Sequence, residues 1–466
     1  MKRNFILVGI LAILSTVNTL ANITLPALFS DNMVLQQQSN VLIWGKSDTK
    51  QSVNIQPSWS NKIVTVTTEA DGSWKARVET PSAGGPYQIT ISDGQEITLK
   101  NVLIGEVWLC SGQSNMDIPM KGVGKNVTIK DSEKYIAEGA NSQLRLFKVE
   151  HNRSEIPLTD VKAKWLEATP ESVAGFSAVG YLFAKQLQET LGVPVGMIKS
   201  AVSSTTIAAW MSEQLLRESF GIEMGTKAGK ANAAELFNAM ISPLVGYGIK
   251  GFLWYQGEGN HGASALYARQ LPAMVNEWRT LWGQGELPFY YAQIAPYNFK
   301  TGQAPYMRQA MADCMKTIPN SGMVTLTDAG EEDNIHPKDK KVVADRFLNW
   351  ALAKTYNKSG IGYCGPIYKS FEITGKKIEV KFDYAETGLT TNDNKLVNFE
   401  IAGSDTIYVP AKAKITKNGT VEIWNSSVKK PIAVRYAFKD FVKADLFNNY
   451  GLPASSFQTL KKIIKQ

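Results

Sequence analysis

The chain has 466 residues, 44% hydrophobic and 20% charged, which excludes a disordered or fibrous protein and is too long for a single core, so two or three domains are expected. The formal net charge of +8 is spread thinly. Only the end of the chain, with Lys461, Lys462 and Lys465, reads as a basic run, and a solvated tail explains it better than a nucleic-acid site.

In chain order, residues 1–21 begin with Lys2 and Arg3, continue as FILVGILAIL and end with small residues at Thr19 and Ala21. That pattern predicts a secretory signal cut after Ala21. The apolar run is shorter than the roughly 18 residues a membrane span needs. The mature protein is therefore expected to be exported to a periplasm, a cell surface or the medium, with no stable membrane insertion. Residues 22–100 alternate or bunch β-formers (VNI, IVTV, WKARV, YQITI, EITL) between turns at Asp71-Gly72, Gly84-Gly85-Pro86 and Asp93-Gly94, predicting an all-β sandwich. From 101 to 358, apolar strand-like runs alternate with helical patterns. One helix places Phe183, Leu187 and Leu191 on a face. A second places Leu271, Met274, Val275, Trp278 and Leu281, with Pro272 as a kink or a late start. A third places Val343, Phe347, Trp350 and Ala351. This rhythm predicts a doubly wound α/β domain with a mostly parallel sheet, whose ligands bind beyond the carboxyl ends of the strands. SGIGYCG, residues 359–365, reads as a linker, and the strands after it predict a C-terminal all-β domain over 359–466.

Three cysteines, Cys110, Cys314 and Cys364, permit at most one disulfide, and neither they nor His151, His261 and His336 show zinc spacing. No metal and no cofactor are expected. Three polar stretches each follow an apolar run: GQSNM (112–116), WYQGEGN (254–260) and EEDNIHP (331–337). Together they supply the parts of acyl transfer. Ser114 offers a hydroxyl, His336 a base, and Asp333 a carboxylate three residues earlier that can orient the imidazole. Gln256 and Asn260 offer amide donors for an oxyanion.

GEVWLCSGQSNM resembles the nucleophile block of the sialate O-acetylesterase family, a branch of the SGNH (GDSL-type) hydrolases. The resemblance extends through LPALFSDNMVLQQQSNVLIWG, PVGMIKSAVSSTTIAAWM, GFLWYQGEGN, LPFYYAQIAPY, NIHPKDK and AVRYAF with GLPASSF. It implies a serine esterase that removes acetyl groups from sugar hydroxyls without a metal. The implied fold is an SGNH-hydrolase-like three-layer α/β domain flanked by β domains, with Ser114 as nucleophile and His336 as base. O-acetylated sialic acids are the implied substrate. An acetylated plant polysaccharide is the alternative within the class. A glycoside hydrolase pairing Glu258 with Asp333, or a non-catalytic carbohydrate-binding protein, are the alternatives outside it.

The chain departs from the family where relatives carry Gly-Gly followed by glutamate: it has Ser203, Ser204 and Ala208. The resemblance implies that a backbone N–H of this loop joins that of Ser114 in the oxyanion hole, and a serine takes positive φ less readily than a glycine. Within the family some members work with a Ser–His dyad, which leaves Asp333 open as a triad member, with Asp328, Glu331 and Glu332 as weaker stand-ins. Gln113, Asn115 and Glu258 are expected to face the substrate space, Glu258 alternatively holding its loop. Among the aromatics Trp108, Trp210, Trp254 and Tyr255, only Trp210 is favoured as a site neighbour over a core residue.

Overall fold

The computed structural model describes residues 23–48, 50–393 and 395–460; the expected signal segment and the basic tail lie outside them. Its central sheet is built from β1 (Glu96–Gly112), β2 (Asn141–Lys148), β3 (Trp165–Ala168), β4 (Val195–Ala201), β5 (Gly251–Tyr255), β6 (Phe289–Ala292) and β7 (Ser321–Val324), in the spatial order β7-β6-β5-β1-β4-β2-β3. Every neighbouring pair is parallel except β2 with the edge strand β3. Every residue of β4, β5 and β6 is buried. That is why these segments read as unbroken apolar runs: a parallel sheet is covered on both faces.

Adjacent residues of β6 show the two covers. Phe289 packs on Trp278 of the helix Ser264–Trp282, while Tyr290 stacks on Trp350 of the helix Lys340–Trp350, so these helices lie on opposite faces. Of the face expected on the long helix, Leu271, Met274, Val275 and Trp278 are buried, but Leu281 is 43% exposed. Pro272 neither starts nor ends this helix; it sits inside it. A proline there cannot donate to the carbonyl four residues back, and that oxygen, of Ala268, accepts instead from Cys314 Sγ at 3.8 Å. Cys110, Cys314 and Cys364 are all free and buried.

The N-terminal strands are not set apart from this sheet. β1 is 17 residues long and crosses the boundary expected at residue 100. Its first part pairs antiparallel with Gly84–Ser92 and its last part lies between β4 and β5. A single apolar core accordingly runs from Ile23 to Ile367. A second core, from Ile378 to Phe457, lies among two four-stranded sheets of the C-terminal region. The fully buried Arg308 joins the two parts, donating to Ser456 Oγ at 2.9 Å and to the carbonyls of Asp440 and Ala437 at 3.2 and 3.3 Å. Among the described residues no helix is long and apolar enough to cross a membrane.

Candidate active site

The polar stretches singled out in the sequence lie beyond the carboxyl ends of parallel strands of the one sheet. Ser114 follows β1, Ser203 and Ser204 follow β4, and Gln256 to Asn260 follow β5; the loop with His336 comes after β7. Close approach of β1 and β5 is what places Ser114. Gly112 has φ +135°, and a Cβ there would lie 2.2 Å from the Tyr255 carbonyl oxygen. With no side chain in the way, the Gln113 N–H donates to that carbonyl at 3.0 Å and the chain turns into the short helix Ser114–Asp117.

Ser114 Oγ and His336 Nε2 are 2.9 Å apart. Ser114 is buried with 8% of its surface exposed, and His336 is half-buried. Burial lowers the His336 pKa below its ordinary 6.5, and the nearby charge of Lys340 adds to the effect. The imidazole is thus kept neutral and able to accept a proton.

Asp333 does not hold this imidazole. It is exposed, and among the described residues nothing hydrogen-bonds to His336 Nδ1. Its neighbour Asn334 organises the loop instead, accepting from the His336 N–H at 3.0 Å and donating to the His336 carbonyl at 2.8 Å. Asp328 is engaged by Arg346 and Glu331 by Asn334 and the Lys338 N–H, and Glu332 is exposed; none reaches the histidine. Ser114 and His336 therefore form a two-residue pair.

The two amides expected as oxyanion donors have different fates. Gln256 is fully buried, and its Nε2 lies 3.1 Å from Gln113 Oε1, 3.1 Å from the Thr205 carbonyl and 2.8 Å from Asn260 Oδ1. Three acceptors saturate its two hydrogens, so Gln256 ties three loops together and has no donor left for substrate. Asn260 is the opposite case. Its Oδ1 accepts from Gln256 and from the Ile207 N–H at 3.0 Å, which fixes the amide, while its Nδ2 has no partner among the described residues.

The serine loop divides similarly. The Ser203 N–H is committed to Asp117 Oδ2 at 3.1 Å and is not available to an oxyanion. Ser204 is exposed, its N–H has no partner among the described residues, and its φ is +61°. Serine thus adopts the conformation expected of glycine, at a cost of about 1–2 kcal/mol. The Ser114 N–H is likewise without a partner among the described residues.

Four residues expected at the substrate are turned inward. Gln113 Oε1 accepts from Gln256 and from the Gly259 N–H at 3.1 Å. Asn115 Nδ2 donates to Glu258 Oε1 at 2.5 Å and to the Ile335 carbonyl at 3.1 Å, and its Oδ1 accepts from Lys340 Nζ at 2.5 Å. This amide orients itself: oxygen toward an ammonium, nitrogen toward a carboxylate. Burial raises the Glu258 pKa and pushes that of Lys340 down to about 7. Glu258 is thus an internal strut between the serine and histidine loops, which also removes it from a carboxylate pair with Asp333. Trp210 is fully buried and donates to Thr205 Oγ1 at 3.1 Å, supporting the loop from beneath. Lys340, Asn334 and Asp117 were not foreseen as site residues; the spacing of Lys340, four residues after His336, was the available signal.

A cavity of about 530 Å³ is lined by Asp117, three residues after Ser114, and by Ser203, His151, Asn152, Arg153 and Lys230, with Val202 and Leu236 as its apolar lining; neither Ser114 nor His336 lines it. The side chains of Arg153 and Lys230 are exposed and make no ion pair among the described residues.

Residues 104–356 match the family model described as carbohydrate esterase, sialic acid-specific acetylesterase. The chain is 28% identical to the human (Homo sapiens) sialate O-acetylesterase over 481 residues, covering 92% of this chain and 91% of that protein. It is also 28% identical to the mouse (Mus musculus) enzyme, over 88% of this chain and 89% of the relative. Among solved structures, a carbohydrate acetylesterase from Xanthomonas citri superposes with a TM-score of 0.87 and 32% identity, over 95% of this chain and 100% of that one.

Proposed function

Because the chain belongs to the carbohydrate esterase family of sialic acid-specific acetylesterases and is a carboxylic ester hydrolase, we propose that it deacetylates sugars through an acetyl-enzyme formed on Ser114. The observation that carries this reading is the 2.9 Å contact between Ser114 Oγ and His336 Nε2. Ser114 Oγ attacks the acetyl carbonyl carbon as its proton passes to His336 Nε2. The carbonyl oxygen becomes an oxyanion held by the Ser114 N–H, the Ser204 N–H and Asn260 Nδ2. His336 then gives the proton to the sugar oxygen as the acyl C–O bond breaks. A water deprotonated by the same imidazole attacks the acetyl-serine and releases acetate. Among the described residues no carboxylate bonds to His336, and in this reading the Asn334 clasp on its backbone and the Asn115 bond to Ile335 hold it in place.

The preferred substrate in this reading is an O-acetylated sialic acid. The cavity lined by Asp117 and Ser203, neighbours in sequence of Ser114 and Ser204, presents Arg153 and Lys230, two cations suited to a sugar carboxylate. The leading segment carries the protein out of the cytoplasm to meet such a glycan. Acetate release should be measured with wild type and Ser114→Ala on O-acetylated sialic acids and on acetylated xylan. Release from sialic acids that disappears in the variant is expected. Serine-dependent release from xylan alone would keep the mechanism and discard the sugar, and release that survives Ser114→Ala would discard the mechanism.

A further inference from the structure

Asp117 lies three residues after Ser114 in the same short helix, and its two carboxylate oxygens face different groups. Oδ1 accepts from the buried ammonium of Lys199 and lies 3.2 Å from His151 Nε2. Oδ2 accepts twice from one residue of the neighbouring loop: from the Ser203 N–H at 3.1 Å and the Ser203 hydroxyl at 2.7 Å. On the far side of Ser204, the Lys230 N–H donates to the Ser204 carbonyl at 2.8 Å. The peptide that carries the Ser204 N–H therefore sits between two fastened peptides, and the residue between the fastenings has φ +61°.

We propose that Asp117 is a positioning residue whose Oδ2 clamps Ser203 so that the Ser204 N–H stays directed at the reacting carbonyl. A carboxylate clamp does here what a glycine does through conformational freedom. A bare carboxylate near a developing oxyanion would oppose it. The ammonium of Lys199 on the other oxygen offsets that charge, so the clamp holds the loop without repelling the transition state. The inference rests on reading the Ser204 N–H as an oxyanion donor.

The test compares kcat and KM on 4-nitrophenyl acetate for wild type, Asp117→Asn, Ser203→Ala and each of these in a Ser204→Gly background. Displacing a catalytic group by about 1 Å can cost ~100-fold. Asp117→Asn is accordingly expected to lower kcat about 100-fold with KM changed less than about threefold. In the glycine background that loss should shrink at least about tenfold, because glycine takes positive φ unaided. A merely structural aspartate would show no such rescue. Should Asp117→Asn fail to fold with Lys199 left unpaired, Ser203→Ala keeps that ion pair and carries the test, with a kcat loss of about three- to tenfold that the glycine background restores. Wild-type kcat in both single variants, or losses the glycine background leaves unchanged, would overturn the proposal. Ser114→Ala separates the two levels: activity surviving in it sinks the reading of the whole site, whereas an inactive Ser114→Ala beside a fully active Asp117→Asn sinks the clamp alone.

Discussion

Asn260→Asp tests the oxyanion assignment with little disturbance of packing. An aspartate keeps the oxygen that accepts from Gln256 Nε2 at 2.8 Å and the Ile207 N–H at 3.0 Å, so the internal anchors survive. What changes is the outward atom, an N–H donor replaced by a carboxylate oxygen. Loss of one oxyanion donor costs about 2.7–4 kcal/mol, or ~100- to 1000-fold in kcat. A negative oxygen facing a developing negative charge should place this variant at the severe end. KM should move less than about threefold, because the donor acts on the transition state more than on bound substrate. The assay is steady-state kinetics on 4-nitrophenyl acetate, with thermal unfolding as a control for the retained anchors. A kcat within about threefold of wild type would refute the reasoning and return the donor role to other groups.

Gln256→Ala should act through stability. Its Nε2 ties its own loop to two others, so the variant should unfold about 2–4 kcal/mol more easily in urea, and an unchanged midpoint would contradict its role as a tie. Asp333→Ala should keep kcat within about threefold of wild type; a loss near ~100-fold would restore it to a triad. Because His336 must be neutral to act as base and its pKa is depressed, kcat/KM should fall on the acid side with an apparent pKa below the ordinary 6.5 of histidine; a limb centred above 6.5 would contradict this. Lys340→Met removes a charge that helps depress His336, so the acid limb should move to higher pH; a limb that stays put or moves down would contradict that coupling.

The parallel sheet and the Ser114–His336 meeting were legible because each depends on local pattern: apolar runs, strand exits and short polar motifs. What escaped depends on partners distant in sequence. Asp333 has the spacing of a triad acid, yet spacing does not show that the side chain faces solvent while Asn334 clasps the histidine backbone. Two amides close together in WYQGEGN look equivalent until Thr205 and Gln113 are seen to consume the donors of Gln256. Trp210 has the chemistry to stack on a sugar, and only packing shows it buried beneath Thr205. Asp117 was unremarked because its meaning lies in Ser203 and Lys199, both more than 80 residues away. The boundary expected at residue 100 misleads for a related reason: one strand serves two sheets, and a composition shift cannot reveal that its hydrogen bonding continues.

The central claim is that the acetyl group passes through Ser114. Mass spectrometry of acid-quenched enzyme during turnover of an activated acetyl ester tests this most directly. The account predicts an acetyl adduct on the peptide containing GQSNM, localised to Ser114, formed within one turnover and absent from Ser114→Ala. Turnover without an adduct on that peptide, or an adduct on another residue together with an active Ser114→Ala, would contradict it.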